Sequence, residues 1–467
     1  MSHSAHPAGP SHGHPLPSVE PVIAPDLTRL NRRVWSAGVE RRDGELTVAG
    51  LAATELAAEH GTPAFVLDTD DLRQRARDYV DAFEGGDVYY AGKAFLCTAV
   101  AALLADEGLG IDVCTAGELA IALRAGVDPE RLALHGNNKS VAELRLALEA
   151  GVGRIVLDSL FEIDRLAELA AETGVRPQVL IRVTVGVEAH THAFIATAHE
   201  DQKFGFSLAS GSAAAAVARV LAHSSLRLVG LHSHIGSQIF DTAGFEVAAR
   251  RVLALHAQIS GEIGVELADL DLGGGFGIAY TTQDDPSDAA QLATEITKIV
   301  EDECAARDLA VPRLSIEPGR AIAGPAMCTV YEVGTVKAVE LDGGAVRTYV
   351  SVDGGMSDNI RTALYDADYS CTLASRGSEA STLLVRVVGK HCEAGDIVVK
   401  DEFLPGDVAP GDLVAVPGTG AYCRSMASNY NHALRPPVVA VADGTTRVVV
   451  RRETEDDLLA LDVDPDR

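Results

Sequence analysis

One lysine stands at the end of a short apolar run, a place where folding does not require a charge. The run DVYYAGKAF spans residues 87–95, and Lys93 follows its apolar residues directly. Lysine is seldom buried, so a strand-end lysine that extends its ammonium into solvent is the simplest interpretation of this run alone. The amine could instead form a Schiff base with a carbonyl compound, a reaction that requires it to lose its proton and that burial promotes.

Polar residues and glycines follow other apolar runs in the same way. LVGLHSHIGSQ carries His232 and His234, DLDLGGG ends in three glycines, and LSIEPGR carries Glu317 and Arg320. Bare backbone N–H groups in a glycine run can approach a phosphate closely, although such a run also makes a tight turn. A carboxylate can pair with a pyridine nitrogen and keep it protonated, although Glu317 could equally form a structural ion pair. With an amine nearby, these residues suggest chemistry of the pyridoxal phosphate type, provided that the fold brings them together.

Alternating strand and helix patterns predict how these run ends meet. Between residues 64 and 325, short β-branched runs alternate with Ala/Leu-rich segments whose apolar residues recur at helical spacing. This alternation predicts parallel strands with helical crossovers. If the first run, AFVLD, is set aside as an entering strand, eight runs remain, the number that closes a (β/α)8 barrel. The C-terminal strand ends of a barrel lie at one face, where Lys93, Asn137, His234 and Glu317 would converge.

The pattern changes after Pro325 to β-rich runs separated by Gly, Pro and Asp turns, which predicts an antiparallel β-domain. The expected fold class is therefore α/β, a (β/α)8 TIM barrel with a sandwich-like or barrel-like antiparallel β-domain built from the C-terminal and N-terminal segments. The predicted divisions are a flexible tail (1–40), a segment that joins the β-domain (41–64), the barrel (65–325), the β-domain (326–455) and an acidic tail (456–467).

Composition argues against several kinds of partner. The 467 residues include 39 Lys+Arg and 67 Asp+Glu, and the net charge of −28 would repel nucleic acid and anionic membranes. No apolar run reaches the ~20 residues of a membrane span, and the N-terminus lacks a secretory signal pattern. Seven scattered cysteines without a CxxC pair are typical of reduced thiols, so a cytoplasmic protein is expected. Four histidines in residues 1–17 have no carboxylate or cysteine at ligand spacing, and no metal is predicted.

An ordered set of motifs resembles the diaminopimelate decarboxylases over roughly residues 45–450. The motifs are YYAGKA, HGNNKS, THAFIATAHEDQKFGF, LHSHIGSQ, DLGGGFG, EPGR, NIRTALYDADY, CEAGD and GAY. That family consists of pyridoxal-phosphate enzymes with an alanine racemase-like barrel. The resemblance implies pyridoxal phosphate as cofactor, decarboxylation of meso-diaminopimelate to L-lysine and CO2 as the last step of lysine biosynthesis, and a homodimer with shared active sites.

The resemblance also implies which residues hold the cofactor. Lys93 matches the lysine that binds it covalently, His234 the histidine that stacks on its ring, and Glu317 the partner of its pyridine nitrogen. Tyr422 lies where the family places a tyrosine near cofactor and substrate. The phosphate cradle is matched by Ser237, Gly274, Gly275 and Gly319.

A second group of residues is implied to bind the substrate. The contacts to its distal carboxylate and amine end are matched by Arg320, Arg361 and Tyr365. Cys392 and Glu393 match a pair that the second subunit donates, in which the cysteine reprotonates the intermediate and the glutamate binds the distal ammonium.

Three other functions share part of this pattern. An alanine racemase typically sets an arginine against the pyridine nitrogen, and Glu317 argues against it. An ornithine- or arginine-type decarboxylase shares the glutamate and the cysteine, but its substrate has no distal carboxylate for Arg320 and Arg361 to bind; another carboxylated diamine stays open as substrate. A non-catalytic homologue that binds cofactor or partner would be expected to lose Lys93 or Cys392, and both are present.

Overall fold

The computed structural model describes residues 26–186, 203–341 and 344–463. The four-histidine segment, most of the motif THAFIATAHEDQKFGF and the last four residues lie outside the described residues. The chain divides into two compact units. The β-unit contains the chain up to Leu72, Ala279–Asp285 and the chain from Ala323 onward, and the barrel unit contains Arg73–Ile278 and Pro286–Ile322.

The β-unit begins with a small antiparallel sheet. Its elements are β1 (Val39–Arg42), β2 (Glu45–Val48), β3 (Leu51–Ala52), α1 (Ala53–His60) and β4 (Ala64–Asp68). Val34 and Trp35 precede this sheet and are buried in a hydrophobic cluster with Leu46 and Leu56. The flexible tail predicted over residues 1–40 is therefore wrong for its last residues, because burial of large apolar side chains such as the Trp35 indole stabilises an ordered segment there.

Eight parallel strands close the barrel, as the alternating pattern predicted. They pair in sequence order, and the eighth returns to pair with the first. The strands are β5 (Asp87–Ala91), β6 (Gly110–Val113), β7 (Leu132–Leu134), β8 (Arg154–Leu157), β9 (Gln178–Thr184), β11 (Arg227–His232), β12 (Asp269–Asp271) and β13 (Arg313–Ile316), with β10 (Phe206–Ser207) paired to β9 outside the ring. Most strand residues are buried, which explains their nearly continuous apolar character.

Helices connect the barrel strands and begin at recognisable caps. Ser140 and Glu143 form a capping box, and Ser159 accepts a hydrogen bond from the N–H of Glu162. The helices are α2 (Thr69–Ala82), α3 (Thr98–Asp106), α4 (Ala116–Arg124), α5 (Val141–Ala150), α6 (Leu160–Thr173), α7 (Ser212–Leu221), α8 (Ala243–Ile263), α9 (Ala289–Ala305) and α10 (Arg320–Ala323), with a 3-10 turn at Pro129–Arg131. Among the described residues, no helix is long and apolar enough to cross a membrane.

The main sheet of the β-unit is mostly antiparallel. Its strands are β14 (Met327–Glu340), β15 (Val346–Val352), β16 (Thr372–Leu373), β17 (Thr382–Val388), β18 (Ile397–Pro405), β19 (Leu413–Pro417), β20 (Val438–Ala442) and β21 (Thr445–Val450). The helical elements are α11 (Arg361–Tyr365), α12 (Glu455–Leu459) and the 3-10 turns Arg424–Met426 and Tyr430–His432. Helix α12 occupies the start of the predicted acidic tail.

The strand set aside as an entering strand belongs to this sheet. β4 pairs antiparallel with β14 and parallel with β20, and Val66 lies in the same buried cluster as Val330 and Val439. The predicted barrel boundary at residue 65 is therefore too early. Its apolar run matches that of a barrel strand, and only the long-range pairing shows which sheet it joins.

Candidate active site

A cavity of about 170 Å³ lies at the C-terminal ends of the barrel strands. Lys93 follows β5, His234 follows β11 and Glu317 follows β13, and all three line the cavity as the barrel prediction requires. The side chain of Lys93 is exposed, whereas Glu317 is only 5% exposed.

The glycine run after β12 packs too closely to carry side chains. A Cβ atom on Gly274 would lie 2.0 Å from the carbonyl oxygen of Glu317. A Cβ atom on Gly275 would lie 2.4 Å from the carbonyl oxygen of Gly236, and the φ of +109° at Gly275 also favours glycine. The backbone after β12 thus lies directly against the loops that follow β11 and β13.

Ser237, Gly319 and Arg320 lie in the same unit. Arg320 is 6% exposed and donates a hydrogen bond from Nη2 to Oγ of Ser237 over 2.8 Å. A Cβ atom on Gly319 would lie 2.9 Å from that of Ala91 at the end of β5. Substitution at Gly319 would therefore push the loop after β13 away from the strand that precedes Lys93.

Glu317 is the centre of a buried polar cluster. Its Oε1 lies 3.0 Å from Nε2 of His232 and 3.4 Å from Nε2 of His135, whose Nε2 lies 3.3 Å from Oδ1 of Asp112. Burial alone would raise the pKa of Glu317, but the imidazoles of His135 and His232 outweigh it and hold that pKa well below its usual range. Burial and the charge of Glu317 raise the pKa of Asp112 to about 7. The cluster therefore keeps Glu317 ionised and disfavours a second negative charge beside it.

His234 is a neutral imidazole that is held in place by a backbone hydrogen bond. The N–H of Gly274 donates to its Nδ1 over 3.2 Å. Burial, and next the positive charge of Lys93, keep the pKa of His234 well below its usual value. A neutral imidazole whose Nδ1 accepts a hydrogen bond carries its proton on Nε2.

These features fit pyridoxal phosphate. Oε1 of Glu317 is buried without a hydrogen-bond partner among the described residues, and an ionised carboxylate of this kind suits a protonated ring nitrogen. The backbone at residues 274 and 275 carries no side chains, as backbone that approaches a phosphate closely requires. Lys93 supplies the amine in the same cavity.

Arg361 and Tyr365 lie in the β-unit, at the two ends of α11. Arg361 is 5% exposed, its guanidinium lies 4.5 Å from the centre of the Tyr280 ring, and Nη1 donates to the hydroxyl of Tyr369. Nε of Arg361 has no hydrogen-bond partner among the described residues. Tyr365 is half-buried. The guanidinium plane is thus fixed by two tyrosines, with donor capacity left over.

Cys392 and Glu393 occupy an exposed loop between β17 and β18 of the β-unit. The N–H of Cys392 donates to Oδ1 of Asn431 over 3.3 Å, and Oε1 of Glu393 accepts from the N–H of Gly395 over 3.3 Å. Tyr422, in the same unit, is half-buried and has a φ of +66°. Positive φ is rare for a bulky residue, and such strained conformations cluster at functional sites.

The predicted site residues thus form two groups, one in each unit. The barrel unit contains Lys93, His234, Ser237, Gly274, Gly275, Glu317, Gly319 and Arg320. The β-unit contains Arg361, Tyr365, Cys392, Glu393 and Tyr422.

Most of the other cavity residues received no role from the sequence. Among those within or just after barrel strands are Asp112, His135, Arg182 and His232. Each is a charged or titratable residue within or just after a short apolar strand, in GIDV, LALHGN, VLIRVT and LVGLH. That signal marks them as unusual, but their electrostatic interactions with Glu317 appear only in the folded barrel.

Residues 69–324 match a family model described as the pyridoxal binding domain of pyridoxal-dependent decarboxylases. The match spans more than half of the chain and includes every residue that lines the cavity. Fold and site together define the class: a pyridoxal-phosphate-dependent decarboxylase with a (β/α)8 barrel and a β-domain.

Relatives that align with nearly the whole chain identify the family within this class. The chain is 57% identical to the diaminopimelate decarboxylase of Mycobacterium leprae over 98% of its own length and 100% of that protein. It is 58% identical to the diaminopimelate decarboxylase of Mycobacterium tuberculosis over 94% of its own length and 99% of that protein. The crystal structure of diaminopimelate decarboxylase from M. jannaschii with L-lysine superposes with a TM-score of 0.86 at 32% identity, over 92% of this chain and 99% of that one. The chain belongs to the diaminopimelate decarboxylase family.

Proposed function

We propose that this protein decarboxylates meso-diaminopimelate to L-lysine and CO2, the last step of lysine biosynthesis. Pyridoxal phosphate is the cofactor. The observation that carries the cofactor chemistry is the buried Glu317 carboxylate, kept ionised, in the cavity that Lys93 lines, and the reaction type follows from the match to pyridoxal-dependent decarboxylases. The substrate follows from the relatives, which carry the name diaminopimelate decarboxylase over nearly the full length of the chain.

Different barrel residues hold different parts of the cofactor. When bound, the cofactor supplies a ring that takes up the electron pair of the broken bond between the α-carbon and the carboxylate. Lys93 would provide the amine that holds it, and Glu317 would accept a hydrogen bond from the ring nitrogen and so keep the proton there. The neutral ring of His234 would stack on the cofactor ring. The phosphate would be bound by Ser237, Gly274, Gly275 and Gly319, and Tyr422 would contact cofactor and substrate.

The remaining predicted residues bind and protonate the substrate. Arg320, Arg361 and Tyr365 bind its distal carboxylate and amine end, because planar guanidinium groups match a carboxylate with two parallel hydrogen bonds. Glu393 binds the distal ammonium. Cys392 donates a proton from Sγ to the α-carbon after CO2 has left.

We infer a homodimer in which Cys392 and Glu393 complete the active site of the other subunit. The exposure of both side chains on the loop between β17 and β18 supports this role, because a donated residue must protrude from its own subunit. We also infer a cytoplasmic location. All seven cysteines lie within the described residues and are free thiols, as a reducing compartment favours.

Product analysis tests the substrate. The holoenzyme is incubated in parallel with meso-diaminopimelate, L,L-diaminopimelate, L-ornithine and D-alanine, and products are separated by chiral chromatography with trapping of CO2. We expect L-lysine and CO2 from the meso isomer only. The Lys93→Ala variant is the control, and it should release no CO2 because it lacks the amine that holds the cofactor.

Two outcomes would contradict the proposal. Putrescine from ornithine would assign an ornithine-type decarboxylase and leave the arginines without a distal carboxylate to bind. Racemised alanine without CO2 would show that proton transfer, rather than loss of the carboxylate, is the reaction of this barrel.

A further inference from the structure

His135 lies between two carboxyl groups that line the cavity. Its Nε2 lies 3.3 Å from Oδ1 of Asp112 and 3.4 Å from Oε1 of Glu317. Its backbone N–H donates to the carbonyl of Val113 over 2.8 Å, which ties the loop after β7 to β6. The ring meets that of His232 edge to face, with centroids 5.2 Å apart. His135 is therefore fixed by its backbone while its side chain faces the cavity.

Only one of the two histidines beside Glu317 is suited to carry a positive charge. Burial lowers the pKa of His232 to about 4, so this ring is neutral near pH 7. Burial also acts to lower the pKa of His135, but the carboxylates of Glu317 and Asp112 outweigh it and raise that pKa above its usual value. His135 is thus the imidazolium that compensates the buried charge of Glu317.

Several charged and titratable groups surround His135. Those that interact with it among the described residues include Asp112, Glu118, Asp158, Arg182, His232 and Glu317, and Lys93 and His234 line the same cavity. Arg182 is the one permanent cation among the six groups named first, and its guanidinium lies over the ring of Phe204, 4.4 Å from the centroid. His135 is therefore the positively charged group that lies in short contact with Glu317.

We propose that His135 is a positioning residue for the decarboxylation: it bridges Asp112 and Glu317 and thereby holds Glu317 ionised and oriented toward the ring nitrogen of the cofactor. This inference rests on the proposed function, in which Glu317 pairs with that nitrogen. His135 acts through Glu317, which is the group in contact with the cofactor.

The test compares His135→Phe and His135→Gln in the cofactor-loaded enzyme. We expect kcat of His135→Phe to fall about 10- to 100-fold, the range expected when a buried charged group loses its partner. KM should change little, because His135 is not assigned to the substrate. Without the imidazolium the pKa of Glu317 rises, so the acid limb of the kcat/KM profile should move to higher pH, together with the acid transition in the absorbance of the bound cofactor.

The glutamine variant separates orientation from charge. The amide of His135→Gln can still donate a hydrogen bond but carries no charge. It should therefore recover part of kcat while the acid limb stays at the higher pH. His256→Phe is the matched control: His256 is also buried in the barrel unit, but its Nε2 accepts from the N–H of Leu267 over 3.0 Å. This control should lose thermal stability and keep the wild-type pH profile.

The Glu317→Gln variant distinguishes a failure of the role assigned to Glu317 from a failure of the inference on His135. If Glu317→Gln retains wild-type kcat, the assigned role of Glu317 fails, and the inference on His135 fails with it. If Glu317→Gln is inactive while both His135 variants keep the wild-type kcat and acid limb, only the inference on His135 is overturned. If His135→Phe does not fold, the acid limb of His135→Gln decides by the same criterion.

Discussion

At the scale of single residues, the pKa values of neighbouring carboxyl groups in the barrel are shifted in opposite directions. Glu317 stays ionised, whereas burial and the charge of Glu317 raise the pKa of Asp112 to about 7 and keep the pKa of Asp271 well above its usual value. Several buried negative charges so close together are costly, and the imidazolium of His135 compensates mainly one of them. The carboxylate assigned to the ring nitrogen is the one that stays charged.

The exposed thiol of Cys392 gives a prediction at this scale. Cys392→Ala should lower kcat about 10²- to 10⁴-fold, the usual contribution of a positioned proton donor, and leave cofactor content unchanged. Stopped-flow turnover and absorbance of the bound cofactor measure the two effects. Cys304→Ala, at a buried thiol of α9, is the control and should keep kcat. Unchanged turnover in Cys392→Ala would remove the proton-donor role.

At the scale of elements, one buried lysine joins the ends of neighbouring barrel strands. Lys139 is 2% exposed, and its Nζ donates to Oε1 of Glu162 over 2.6 Å and to the carbonyls of Gly136 and Val156 over 2.7 and 2.6 Å. Glu162 lies in the first turn of α6. The loop after β7, which carries His135, is thereby attached to β8 and to the helix that follows it.

Removing one member of the Lys139–Glu162 ion pair should destabilise the barrel unit strongly. Lys139→Met leaves the Glu162 carboxylate buried without its counter-ion, and we expect a loss of about 3–5 kcal/mol in the free energy of unfolding. The double variant Lys139→Met/Glu162→Leu should lose much less, because no uncompensated charge remains. Urea unfolding of the four proteins in the cycle measures the coupling.

Lys298→Met is the control for that cycle. Lys298 forms an exposed pair with Asp302 along α9, and such surface pairs contribute little to stability. Additive effects of Lys139→Met and Glu162→Leu would contradict a coupled buried pair.

At the scale of the whole molecule, the proposed exchange of Cys392 and Glu393 makes the active site a property of two chains. In a hybrid dimer, a Lys93 substitution in one chain and a Cys392 substitution in the other then fall in the same site, and the second site stays intact. Hybrid dimers test this arrangement directly.

Mixing inactive Lys93→Ala with inactive Cys392→Ala should restore activity. Half of randomly exchanged dimers are hybrids, each with one intact site of two, so about one quarter of the wild-type activity is expected. Subunits with different tags and native mass spectrometry measure the exchange. Lys93→Ala mixed with the double variant Lys93→Ala/Cys392→Ala is the control and should stay inactive. Full exchange without recovered activity would contradict shared sites.

The sequence by itself determined the barrel and the side chains at its strand ends. Apolar periodicity and glycine turns are local properties of the chain, so the eight strands and the positions of Lys93, His234 and Glu317 followed from them. The order of the motifs indicated the family, and the comparisons confirmed it.

Only the tertiary structure decided how charges and strands pair. The apolar run of β4 resembles a barrel strand, and its pairing with β14 and β20 assigned it to the other unit. His135 and Asp112 looked like isolated polar residues until the closed barrel brought them to Glu317. Burial and charge compensation depend on distances between residues far apart in sequence, and local patterns do not contain those distances.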